Sequence, residues 1–124
     1  MCSLLIGWIL IALGLVSGAL IGLGFHAEAW LGGYGTWRRR LLRLGHIACF
    51  GMGFLNLALA WSLPQLGTGP ALLWAAAGLA VAGVTMPVVC WLSAWRKPLR
   101  HAFPIPVISA LFAVGCILIQ GVSS

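Results

Sequence analysis

Acidic side chains are all but missing from this chain: Glu28 is the only one, against seven lysines and arginines. One carboxylate excludes any chemistry that needs two acids in one site, unless another subunit brings the second. Charge of either sign is scarce, 6% of 124 residues where a soluble domain carries roughly a quarter. So thin a supply cannot cover a water-soluble globule, and it excludes intrinsic disorder as well. There is no strand-like alternation, no phosphate-cradling Gly-Lys loop and no GxSxG elbow. The four cysteines hold no CxxC pair, so no disulfide framework or zinc ribbon is expected. No catalytic constellation lies within the chain, and it is not expected to be an enzyme by itself.

What the sequence has is length in apolar runs, 62% of its residues. Met1 to Phe25 is one run, and about 20 apolar residues cross a ~30 Å hydrocarbon core. It lacks a basic leading segment and is too long for the apolar part of a leader, so no cleavage is expected. Leu44 to Trp95 holds no formal charge and is too long for one crossing at ~1.5 Å per residue. The stretch Ser62-Leu63-Pro64-Gln65-Leu66-Gly67-Thr68-Gly69-Pro70 reads as a turn that divides it. Phe103 to Val122 supplies a further run, opened by Pro104 and Pro106, which a first helical turn tolerates. The expectation is an all-α integral membrane four-helix bundle, one domain over 1–124, with spans at about 3–25, 44–62, 71–95 and 103–122.

The basic residues form two clusters, Arg38, Arg39, Arg40 and Arg43, then Arg96, Lys97 and Arg100. Four spans put both clusters on one side, and short loops rich in lysine and arginine stay cytoplasmic. The 26–43 and 96–102 loops are therefore expected in the cytoplasm of an inner or plasma membrane, with both termini outside. Trp30, Trp37, Trp91 and Trp95 fit an aromatic belt on that side. A basic collar of this kind attracts anionic headgroups rather than nucleic acid.

Helices in lipid are held together by close packing and interhelical hydrogen bonds. The first helix carries Gly7 and then Gly14, Gly18 and Gly22, two overlapping GxxxG motifs suited to a neighbouring helix or to self-association. On the second, His46, Cys49, Gly53, Asn56 and Ala60 share one stripe, which should face the bundle interior. Asn56 sits near the midplane and needs an interhelical partner. Pro87 is expected to kink the third helix.

His26, His46 and His101 all fall near the cytoplasmic boundary of this topology. Interfacial imidazoles bonded to backbone or phosphate are the plain reading. A metal or proton site is another. A third is a b-type haem, bound axially by His46 and His101 with His26 as the spare, its propionates met by Arg39, Arg43 and Arg100. These coincidences favour a haem-binding or accessory subunit of a membrane electron-transfer complex. The alternatives are a cofactor-free structural subunit of a larger membrane assembly, or an oligomeric transporter or channel lined by Asn56, Thr85, Ser109 and the histidines.

Overall fold

The computed structural model describes residues 1–67 and 69–123. Four helices account for most of them: α1 (Cys2–Leu23), α2 (Trp37–Leu66), α3 (Pro70–Trp95) and α4 (Pro104–Ser123). All four lie in segments long and apolar enough to cross a membrane, so the chain is an all-α, membrane-spanning bundle. Short 3-10 turns at Gly24–His26, Trp30–Gly32 and Lys97–Ala102 complete the connections on the basic side.

The architecture is a central α2–α3 hairpin with one helix laid on each flank. α1 packs on α2 and touches α3, α4 packs on α3, and α1 and α4 share almost no contact. Small residues on α3 make the hub possible. A Cβ on Gly83 would lie 2.9 Å from Leu10 of α1, and one on Gly78 would lie 2.9 Å from the Ser109 carbonyl of α4. The core of Leu59, Leu72, Ala75, Leu79 and Ala113 joins α2, α3 and α4, with Cys116 and Ile117 packed on it.

α2 is longer at both ends than its apolar run. The arginines that end the hydrophobic stretch do not end the helix, because long cationic side chains reach back to water from a helix that emerges from lipid. At the far end the expected turn is shorter than 62–70: the helix continues through Pro64 to Leu66. A proline in a final turn deletes a single donor, and Gln120 of α4 donates to the Leu66 carbonyl at 3.2 Å. Gly67 has φ of 72°, a conformation natural to glycine, and Thr68 lies outside the described residues. α3 runs unbroken through Pro87.

The two basic clusters meet at one end. The Arg38 guanidinium lies 5.4 Å from the Trp95 ring, and Trp37 Nε1 donates to the Ser93 carbonyl at 2.9 Å. Trp91 fills the space over Gly45. Met1 and Cys2 share a cavity lining with Leu63 and Gly67, so the chain's start lies at the opposite end beside the α2–α3 turn. Trp8, Trp61 and Trp74, all more than half exposed, form a second girdle there that the sequence reading did not single out. From Trp74 to Trp95 the α3 axis rises about 32 Å at ~1.5 Å per residue, which matches a hydrocarbon core.

Candidate functional site

The glycine face of α1 is spent inside the molecule. Gly7 and Gly53 form the crossing of α1 and α2: a Cβ on either would lie 3.0 Å from the other's carbonyl oxygen. Phe50 covers Gly14, and the His46 ring lies on Gly18, 2.5 Å from where its Cβ would be. Gly22 alone of the expected seam has open space around it. A second copy therefore finds little of that face available.

His46 belongs to this seam. Its Nδ1 donates to the Gly14 carbonyl at 2.8 Å, a carbonyl that also accepts from Ser17 Oγ at 3.0 Å. Phe50 meets the ring edge-on at 5.2 Å. The other two histidines are elsewhere. His26 is exposed at the end of the first 3-10 turn, and His101 is exposed on Lys97–Ala102, which packs on α3 and α4. Arg100 is exposed on the same turn. Among the described residues no three histidine, cysteine or acidic side chains gather as a metal-binding group. His46 is thus committed to α1, while His26 and His101 sit exposed on two separate turns.

Asn56, fully buried, sends Nδ2 to the Met52 carbonyl at 2.9 Å and to the Leu79 carbonyl of α3 at 3.3 Å. Its Oδ1 has no partner. The stripe His46–Gly53–Asn56 consequently serves two neighbours, α1 through His46 and Gly53 and α3 through Asn56.

The most unusual cluster surrounds Arg39, in the first turn of α2. This arginine is 3% exposed, although it belongs to the collar. The loop ahead of α2 wraps it in rings: Phe25 at 5.1 Å, Trp30 at 5.4 Å and Tyr34 at 6.0 Å. Each such contact is worth about 0.5–2 kcal/mol, more as water is excluded. Arg43 also lies over the Tyr34 ring, at 4.1 Å. The wrap depends on left-handed backbone at Leu31 (φ 55°), Gly32 (φ 86°) and Gly33 (φ 100°), which turns the chain back so that Thr36 Oγ1 donates to the Leu31 and Gly33 carbonyls. Trp30 then packs over Gly24 and meets Phe25 edge-to-face at 6.4 Å. Arg39 Nη1 donates to the backbone carbonyl of Glu28 at 3.0 Å, while Nε is buried without a partner. A cavity of about 430 Å³ opens beside it, lined by Phe25, Glu28, Tyr34 and Arg39.

Arg39 stands out in the sequence as part of a basic cluster, whereas its partners Phe25 and Tyr34 do not. The available signal was four aromatics, Phe25, Trp30, Tyr34 and Trp37, within the thirteen residues before an arginine run. Compared with known protein families, curated proteins and solved structures, the chain matches none of them.

Proposed function

We propose that this protein is a structural, non-catalytic subunit of a larger membrane assembly, seated with its basic end in the cytoplasm. One observation carries the reading. His46, Asn56 and Gln120, the polar side chains best placed for chemistry or conduction, each spend a donor on a backbone carbonyl of a neighbouring helix. The outer faces of α1 and α4 are left to large apolar residues such as Leu5, Ile9, Leu20, Ile108, Leu111 and Ile119, suited to lipid or to another subunit's helices. Extraction in mild detergent should yield the chain in stoichiometric association with larger subunits. A stable free monomer would overturn the proposal.

Orientation is testable through Cys2, which is exposed, against Cys49 and Cys90, which are fully buried. In a Cys116→Ser background, an impermeant maleimide should label intact cells once per chain, at Cys2. Labelling only after permeabilisation would reverse the orientation.

The bond from His46 Nδ1 to Gly14 also supports a second reading. It holds the proton on Nδ1 and leaves the Nε2 lone pair free, as in imidazoles that ligate a metal. In that reading His46 would hold a b-type haem together with His101 or His26, and Arg39, Arg43 and Arg100 would offer counter-charge. A dithionite-reduced minus oxidised spectrum should then show Soret and α bands that His46→Ala abolishes. A featureless spectrum of the purified protein removes the haem.

A further inference from the structure

Among the described residues Arg39 is the one buried charged side chain, and none of them makes an ion pair with it. Its single hydrogen bond goes to a neutral carbonyl, through Nη1. The edge formed by Nε and Nη2 is left over, and Nε on that edge is buried and unpartnered. A buried guanidinium in this condition is costly. The surroundings add to the imbalance. Arg38, Arg39, Arg40 and Arg43 crowd the first two turns of α2, where the helix already presents the positive end of its dipole. No acid lies in that first turn, and Thr36 makes no capping bond from its side chain. What is missing is an anion.

The cavity beside Arg39 says more about which anion. Two parallel N–H donors on one guanidinium edge match two oxygens of a phosphate. Arg43, stacked on Tyr34, adds a second cation next to that ring, outside the cavity lining. Yet the lining also includes Glu28, whose carboxylate would repel a simple anion. The Phe25 and Tyr34 rings already carry guanidinium groups, so the carboxylate of Glu28 is the group that suits a small cation. One wall recognises a phosphate and the other an amine, at the level of the tryptophan girdle where headgroups lie.

We propose that the Phe25–Glu28–Tyr34–Arg39 cavity binds a phosphoethanolamine group, with the phosphate on the Nε–Nη2 edge of Arg39 and the ammonium against Glu28. The group is carried by a zwitterionic lipid headgroup or by a soluble phosphate ester of the same chemistry.

Native mass spectrometry of the whole protein in mild detergent tests this, with phosphatidylethanolamine and phosphatidylglycerol of identical acyl chains offered in equal amounts. The expected result is about tenfold preferential retention of the ethanolamine lipid. Glu28→Gln, at an exposed position, should erase the preference while leaving phosphatidylglycerol binding intact or stronger. Arg39→Lys keeps the charge and loses the fork, and should weaken both lipids about tenfold. Soluble phosphoethanolamine is the remaining arm: displacement of the lipid by millimolar amounts assigns the site to the soluble ester, and no displacement assigns it to the headgroup. Equal retention of the two lipids by the unaltered protein, or an unchanged preference in Glu28→Gln, overturns the proposal. The first of these is the result expected if Glu28 swings onto Arg39 and fills the site itself.

Discussion

Gly53→Leu is expected to unfasten α1 from the α2–α3 hairpin, at a cost of about 3 kcal/mol, the upper end for overpacking in a tight interior. The reason is that the obstacle is backbone. A Cβ at Gly53 would lie 3.0 Å from the Gly7 carbonyl oxygen and 2.9 Å from Ile11 Cγ1, and the Gly7 side of the crossing is as tight against the Gly53 carbonyl. No rotamer change relieves a clash with a helix axis, so α1 must move bodily. That movement also pulls the Gly14 carbonyl from His46 and uncovers the buried Leu57 and Leu10. Unfolding in mixed micelles of dodecyl maltoside and dodecyl sulfate, followed by circular dichroism, measures the loss. Gly51→Leu is the matched control, two residues away with nothing within 4 Å of its Cβ. It should shift stability by less than about 0.5 kcal/mol. Because Gly7 and Gly53 occupy one crossing, Gly7→Leu combined with Gly53→Leu should cost little more than either alone. Equal effects of Gly51→Leu and Gly53→Leu would mean that the crossing is not where α1 is held.

Much of this fold was legible because lipid leaves a chain few options. Apolar runs of spanning length must be helices, and two basic clusters separated by an even number of crossings must meet at one end, as Arg38 and Trp95 do. What hydropathy could not show was where helices stop. The arginines at 38–43 end an apolar run yet lie inside α2, and Pro64 punctuates a sequence without ending the helix. Periodicity grouped His46, Gly53 and Asn56 on one stripe, but a stripe has width, and only packing decides that its members meet different helices. His46 shows the same limit more sharply. Depth follows from chain position, whereas a ring's direction follows from the neighbour that offers a carbonyl, and for His46 that is Gly14. The Arg39 enclosure was out of reach for another reason. It needs Leu31, Gly32 and Gly33 in left-handed conformations, and a sequence pattern marks such a turn only loosely when one of the three is leucine.

Gly78→Leu tests whether the two flanks are independent. On α3 this glycine faces the Ser109 carbonyl at 2.9 Å and Ala113 Cβ at 3.0 Å, the close approach that seats α4. Filling it should release α4 at a cost of about 2–3 kcal/mol. The α1 crossing should remain intact, because α1 and α4 share almost no contact. The cysteines report the two outcomes separately. Cys116 of α4 packs on the core formed with Leu72, Leu79 and Ala113, while Cys49 of α2 and Cys90 of α3 are fully buried within the hairpin. In Gly78→Leu, maleimide modification of Cys116 in detergent should accelerate about thirtyfold or more, the factor that ~2 kcal/mol of easier opening produces. Cys49 and Cys90 should stay as protected as before. Gly115, on α4 with nothing within 4 Å of its Cβ, provides the control, and Gly115→Leu should leave all three rates unchanged. If Cys49 and Cys90 open together with Cys116, the bundle yields as one cooperative unit. The hairpin would then need both flanking helices to hold its own buried seam closed.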